Sequence, residues 1–138
     1  MQEESDRVVG QIVSVGGSPD PIRHSLSRFR PAYVLFVVSK DSRGQVEEKI
    51  LPGLGFQPQY SYAEVSSADD VSSCYAELRS KIWEWLQEKR LQPEKVVVDI
   101  TGGTKPMSAA LTLAAVEQFH HFAYVGGTQR DKGGLGVV

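Results

Sequence analysis

Two short apolar runs most constrain how this chain can fold. The run at 32–39 reads AYVLFVVS, and the run at 95–100 reads KVVVDI. Neither run alternates between apolar and polar residues, which indicates strands that are covered on both faces. Strands of this kind are typical of parallel sheets with helices on either side. The two runs therefore predict an α/β fold built on a parallel sheet.

Three more strand-like runs alternate with helical patterns along the chain. These strands are predicted at 8–15, 59–65 and 121–126, and the run at 59–65 alternates weakly, as a strand near an edge would. Helical patterns are predicted at 22–29, 46–51, 69–90 and 107–115. Because strands and helices alternate, we expect right-handed crossovers. The predicted architecture is one domain, 1–138, folded as a Rossmann-like three-layer sandwich with a mainly parallel central sheet.

The composition excludes several classes of partner. The 138 residues carry a formal net charge of −2, so we expect no binding to duplex nucleic acid. The N-terminal segment MQEESDR is too polar for a signal peptide. No apolar run approaches the roughly 20 residues of a membrane span. We expect a cytoplasmic protein with no membrane partner.

The residues that usually hold metals are sparse. Cys74 is the single cysteine, so it forms neither an internal disulfide nor a thiolate cage. The three histidines have no carboxylate or cysteine at the spacing of metal ligands. We therefore predict no metal site and no cofactor.

Three glycine pairs follow predicted strands, and a hydroxyl residue follows each pair. Carboxyl ends of parallel strands share one edge, where ligands bind. Glycine also lets backbone N–H groups approach a ligand closely. The pattern thus favours a phosphate-bearing ligand, although glycines at such turns also occur for steric reasons alone. The three triplets are Gly16-Gly17-Ser18, Gly102-Gly103-Thr104 and Gly126-Gly127-Thr128.

Lys105 follows the second of these turns, in the first turn of a predicted helix. Thr104 is its predicted N-cap, and Pro106 is tolerated at this position. A lysine here opposes the helix dipole, so it is disfavoured unless it meets an anion. We predict that Lys105 contacts a ligand phosphate. The alternative is a solvated lysine beside Asp99 or another carboxylate.

The familiar nucleotide motifs are absent from the sequence. There is no G-x-x-x-x-G-K-[ST], which argues against a P-loop enzyme. No G-x-G-x-x-G follows the first strand, which argues against ordinary dinucleotide binding. A phosphate site would therefore be of another type.

Two segments resemble a known family. They read VVGQIVSVGGSPDPIRHSL, near the N-terminus, and DITGGTKPMSAAL, at the fourth strand. Both are similar to CARF (CRISPR-associated Rossmann fold) domains, the sensor domains of type III CRISPR ancillary proteins, and the likeness covers nearly the whole chain. The resemblance implies a homodimer that binds a cyclic oligoadenylate second messenger, usually cyclic tetra-adenylate, across its two-fold axis in antiviral defence.

The resemblance also implies the residues that bind the ring. Each protomer would contribute its first-strand loop and its Thr-Gly-Gly-Thr-Lys turn, with a weaker match after the fifth strand. Some CARF domains cut their ligand slowly without metal by attack of a ribose 2′-OH, which would make Ser18 and Lys105 catalytic. The implied ligand-binding set is Gly16, Gly17, Ser18, Pro19, Ser39, Thr101, Gly102, Gly103, Thr104, Lys105, Met107, Gly126, Gly127 and Thr128.

These residues are compatible with three different functions. The first is a cyclic oligoadenylate receptor, and the second is a metal-independent ring nuclease that leaves a 2′,3′-cyclic phosphate. Neither motif contains a histidine as general base, so any cleavage should be slow. The third is an α/β domain that binds a mononucleotide or a protein. CARF proteins commonly carry a fused effector domain, and none is evident here, so we expect either a sensor domain from a longer protein or a standalone ring-cleaving enzyme.

Overall fold

Five parallel strands form the centre of the protein in the computed structural model, which describes residues 7–119 and 121–126. Their order across the sheet is β3-β2-β1-β4-β5. All neighbouring strands pair in parallel, and the third strand lies at an edge, as predicted. The strands are β1 (Gly10–Ser14), β2 (Tyr33–Val38), β3 (Gln59–Glu64), β4 (Val96–Asp99) and β5 (His121–Ala123).

Three α-helices connect the strands. They are α1 (Pro19–Phe29), α2 (Val71–Lys89) and α3 (Lys105–Ala115). The Asp70 carboxylate caps α2 by accepting the N–H groups of Ser72 and Ser73, and Arg90 ends that helix at φ 55°. Both limits agree with the predicted 69–90. Two shorter segments are a π-helical turn, Val46–Ile50, and a 3-10 turn, Pro93–Lys95.

The helices cover both faces of the sheet. On one face α1 and the π-helical turn bury residues such as Ile22, Leu26 and Ile50 against β1 and β2. On the other face α2 and α3 bury residues such as Leu78 and Leu111 against the same sheet. The predicted three-layer sandwich is therefore confirmed.

All five strands are shorter in the structure than predicted, and two of them differ most. The strand expected at 8–15 is Gly10–Ser14, and the one expected at 121–126 is His121–Ala123. The second ends early because the Val125 N–H donates to the Thr101 hydroxyl instead of to a backbone carbonyl. The helix expected at 46–51 is a single π-helical turn.

Membrane spans and metal clusters are both missing from the described residues. Within 7–119 and 121–126, no helix combines the length and the apolar character that crossing a bilayer requires. That part of the chain also contains no cluster of three histidine, cysteine or acidic side chains arranged to hold a metal ion.

Cys74 is buried, and this burial is the main reason why the pKa of its thiol is raised. The thiol therefore stays protonated at neutral pH.

The strand order places the ends of β1 and β4 side by side. From β1 the chain moves outward to β2 and β3, whereas β4 and β5 lie on the other side of β1. Such a reversal leaves a crevice outside the carboxyl ends of the two central strands, where ligands bind in open α/β sheets. The first and second glycine turns meet at this crevice.

Candidate functional site

A small cleft of about 190 Å³ lies at the reversal of strand order. Six of its eight lining residues belong to the predicted ligand-binding set, and the two that sequence reasoning missed are Pro21 and Ile22 of α1. A phosphate-sized group fits such a space. The lining residues are Gly16, Gly17, Ser18, Pro21, Ile22, Thr101, Gly102 and Gly103.

The two glycine turns touch through their backbones. A Cβ atom on Gly16 would lie 2.7 Å from the amide nitrogen of Gly103. A Cβ atom on Gly102 would lie 2.3 Å from the carbonyl oxygen of Ser14. No side chain fits at either position, so the steric explanation applies to Gly16 and Gly102. Gly17 has open space around it.

The touching turns leave backbone donors free. Among the described residues, the N–H groups of Gly16, Gly17, Gly102 and Gly103 have no hydrogen-bond acceptor. Unpaired N–H groups are rare unless water or a ligand reaches them. Successive N–H groups in such turns form concavities that bind anions. Because these four glycines line the cleft, their N–H groups are candidate uncharged donors to a phosphate.

The hydroxyl residues of the two motifs differ in what they contact. The Thr104 hydroxyl accepts the Met107 N–H at 3.2 Å, as predicted for the N-cap of α3, and donates to the Ala68 carbonyl. The Thr101 hydroxyl accepts the Val125 N–H at 2.7 Å. Ser18 is the N-cap residue of α1, but its exposed side chain makes no capping hydrogen bond. Of these three hydroxyls, the Ser18 hydroxyl is available to a ligand.

The two N-cap residues should respond differently to loss of their hydroxyls. We expect Thr104→Ala to lower the free energy of unfolding by about 0.5–2 kcal/mol, because a capping bond is lost. Ser18→Ala should change it by less than about 0.5 kcal/mol, since no capping bond exists. Denaturant unfolding of both variants measures the difference. Equal losses in the two variants would contradict the contacts described for Thr104.

Lys105 is the first residue of α3, and its side chain is exposed. Among the described residues, no ion pair includes it. Asp99, the carboxylate considered as its alternative partner, is only 1% exposed and accepts the Thr101 N–H at 2.8 Å. Lys105 lies two residues beyond Gly103, which lines the cleft, and no carboxylate of the described residues pairs with it.

The remaining predicted residues lie apart from the cleft lining. Met107 is 1% exposed, and its side chain packs beneath Gly103, which has a φ of 83°. Pro19 begins α1, and Ser39 hydrogen-bonds with the Ser42 side chain after β2. Gly126 follows β5 near the Thr101 contact. Gly127 and Thr128 lie outside the described residues.

Two serines that sequence reasoning missed contact the second turn. The hydroxyls of Ser14 and Ser108 lie 2.7 Å and 2.8 Å from the Gly102 carbonyl oxygen. The only sequence signal is one serine inside the apolar strand QIVSV and another in the first turns of α3.

Comparison with known sequences gives no match, whereas comparison with solved structures does. No protein-family model and no curated protein matches the chain. Enterococcus italicus Csm6 bound to cyclic hexa-2′-fluoro-hexa-dAMP matches 89% of the chain at TM-score 0.66 and 12% identity. Can2 from Sulfobacillus thermosulfidooxidans in complex with cyclic tetra-adenylate matches 85% at TM-score 0.61 and 16% identity. A type III CRISPR defence DNA nuclease activated by cyclic oligoadenylate matches 88% at TM-score 0.63 and 17% identity.

The match covers only part of each of these proteins. The chain spans 35% of the Csm6 chain, 32% of the Can2 chain and 19% of the nuclease chain. Identities this low establish the fold and leave function to be argued from the site. The chain therefore has the fold of the CARF domains that its two loop motifs resemble.

Proposed function

We propose that this chain is a receptor for a cyclic oligoadenylate in type III CRISPR antiviral defence, with cyclic tetra-adenylate as the expected ring. One observation carries the proposal: two glycine turns in backbone contact line a single cleft, and among the described residues their N–H groups have no acceptor and the nearby Lys105 forms no ion pair. The likeness to structures described with cyclic hexa- and tetranucleotides supports this class of ligand.

The chemistry of the cleft suits a phosphodiester. Backbone N–H groups bind phosphate oxygens without reading a base, and Lys105 adds a charge-assisted contact. The prolines at Pro19 and Pro21 remove two donors from the first turn of α1. Anion binding therefore depends on the glycine turns and on Lys105 more than on the dipole of α1.

The size of the cleft favours a site shared between two chains. Pockets for drug-sized ligands measure roughly 300–1,000 Å³, and this cleft measures about 190 Å³. One chain can enclose a phosphate and its neighbours but not a whole cyclic tetranucleotide. A ring of identical units suits two identical half-sites related by a two-fold axis. We therefore propose a homodimer with the ring between its protomers.

An exposed apolar stripe on α3 is the proposed dimer contact. It consists of Ala109 and Leu113 of α3 and of Val116, the C-cap residue, and the last two are 55% and 56% exposed. Exposed apolar clusters of this kind mark protein contacts. The stripe lies on the same helix as Lys105, and Leu113 is about 12 Å further along that helix. Pairing through this stripe would bring two clefts together.

A charge placed in the stripe should separate the protomers. We expect Leu113→Glu to elute as a monomer, with the wild type a dimer, and to bind cyclic tetra-adenylate at least about tenfold more weakly, since only half of the contacts remain. Light scattering after gel filtration measures the mass. Gln87→Glu, on the exposed surface of α2, is the control and should remain dimeric. A dimeric Leu113→Glu protein would contradict this interface.

Ring cleavage is a second candidate function, and it is favoured by the exposed Ser18 hydroxyl, which makes no capping hydrogen bond. In that reaction a ribose 2′-oxygen attacks the adjacent phosphorus and loses its proton. The bond from phosphorus to the 5′-oxygen breaks, and that oxygen takes up a proton. The products are a 2′,3′-cyclic phosphate and a 5′-hydroxyl. Ser18 would position the 2′-OH, and Lys105 would stabilise the charge on the phosphate.

One experiment separates these functions. The protein is incubated for hours in EDTA with cyclic tri-, tetra- or hexa-adenylate or with a mononucleotide, and chromatography follows both binding and ring integrity. A bound and intact ring supports a receptor whose output comes from an effector outside this chain. Linear products that slow in Ser18→Ala support the ring nuclease. If no ring binds while a mononucleotide does, the proposed receptor function is wrong.

A further inference from the structure

The Gly102 carbonyl is held by two hydroxyl groups from different elements. Ser14 is the last residue of β1, and Ser108 lies in the first turns of α3. Each hydroxyl has one proton to donate. For Ser14 the Gly102 oxygen, at 2.7 Å, is nearer than the Asp99 oxygen at 3.4 Å. For Ser108 the Gly102 oxygen, at 2.8 Å, is nearer than the Ile100 oxygen at 3.1 Å.

The burial of Ser14 makes this contact informative. Ser14 is 0% exposed and lies in a strand that is buried throughout. A hydroxyl buried in such a place costs free energy unless it is hydrogen-bonded, and an alanine would fill nearly the same space. The hydrogen bond to the Gly102 carbonyl therefore explains why position 14 is a serine and not an alanine.

Fixing this carbonyl also fixes the neighbouring N–H group. The described residues contain no cis peptide bond, so the Gly102–Gly103 peptide is trans. In a trans peptide the C=O and N–H bonds point in opposite directions. With the Gly102 oxygen turned towards Ser14 and Ser108, the Gly103 N–H points away from both. The Gly103 nitrogen lies against Gly16, and both glycines line the cleft.

We propose that Ser14 and Ser108 are positioning residues, which clamp the Gly102 carbonyl so that the Gly103 N–H faces the cleft and donates to a ligand phosphate. The inference rests on the proposed function for the identity of the ligand. The Ser14 hydroxyl of β1 and the Ser108 hydroxyl of α3 hold the Gly103 N–H in place before the ligand binds. Without the clamp the peptide can rotate, because glycine on either side permits it.

The test compares Ser14→Ala, Ser108→Ala and the double variant by calorimetry with cyclic tetra-adenylate. We expect the double variant to bind about tenfold more weakly, as for loss of a hydrogen bond to a charged group. Ser108→Thr keeps the hydroxyl and should bind within about twofold of wild type. The control is Ser25→Ala, which removes another buried serine bonded at 2.8 Å to Gln11, away from the cleft, and should bind as wild type does. A double variant with wild-type affinity overturns the clamp.

A second measurement does not depend on this ligand. In NMR spectra of the ¹⁵N-labelled protein, the Gly103 amide proton should exchange rapidly with water. Among the glycine amides, Gly103 should show the largest change in chemical shift between wild type and the double variant. A slowly exchanging Gly103 amide, or one unchanged in that variant, overturns the clamp. If wild type binds no cyclic oligoadenylate, the proposed function fails, and inorganic phosphate becomes the probe. A Gly103 amide that phosphate does not shift then overturns the clamp as well.

Discussion

Replacing Lys105 by alanine should weaken the binding of cyclic tetra-adenylate by about 1.5–3 kcal/mol, roughly 10- to 150-fold in Kd. Lys105 is exposed at the first residue of α3 and belongs to no ion pair among the described residues. Its charge opposes the helix dipole until an anion arrives. Removing it should therefore cost binding and leave the stability of the fold nearly unchanged.

Lys95→Ala is the matched control for Lys105. Lys95 directly precedes β4, so it lies at the opposite end of the strand that leads to the site. The Lys95→Ala substitution removes the same charge and should leave the Kd within about twofold of wild type. The length of β4 separates Lys95 from the site, and salt largely screens the interaction of its charge with the ligand over that distance. Calorimetry at fixed salt measures both variants. Equal affinities for Lys105→Ala and Lys95→Ala would show that Lys105 does not touch the ligand.

Replacing Gly102 by alanine should have the largest effect on the fold. The added Cβ would lie 2.3 Å from the Ser14 carbonyl oxygen and 3.2 Å from the Gly16 nitrogen, and these backbone atoms cannot rotate away. Gly102 is not among the glycines with positive φ, so the cost comes from space alone. Overpacking costs about 1–3 kcal/mol or more, so we expect a Tm lowered by at least about 5 °C.

Gly17→Ala is the control for Gly102→Ala. Gly17 lies in the same cleft, but a Cβ added there would have no other atom within 4 Å, and the φ of Gly17 is not positive. The Tm should stay within about 2 °C of wild type, as for other exposed substitutions. Thermal unfolding followed by circular dichroism measures both proteins. A Gly102→Ala protein as stable as Gly17→Ala would contradict the close contact of the two turns.

The fold could be predicted from the sequence because strand burial leaves a direct pattern. The runs at 32–39 and 95–100 are apolar on both faces, and both became inner strands of the parallel sheet. The predicted limits of α2, 69–90, agree with the observed N-cap Asp70 and the observed C-cap Arg90. The short β5 could not be predicted, because its end depends on the Thr101 hydroxyl, 24 residues away in sequence from Val125.

The sequence predicted the two turns that line the cleft, but not the contacts of their side chains. That these residues bind a ligand stays a prediction. Glycine pairs after strands indicated which turns meet, and the structure brings the first two together. The sequence does not show that the Thr101 and Thr104 hydroxyls are hydrogen-bonded within the fold while the exposed Ser18 hydroxyl makes no capping bond. Nor does it show that Ser14 and Ser108 share one carbonyl, since that contact depends on three elements meeting at one atom.

The most direct test of the receptor function is the stoichiometry of ring binding. Calorimetry is run with purified protein and cyclic tetra-adenylate, and repeated with the tri- and hexa-adenylate rings. We expect one ring to bind per two chains, with a mass measured in parallel that corresponds to a dimer. Absence of binding by every ring would contradict the receptor, and one ring per chain on a monomer would contradict the shared site.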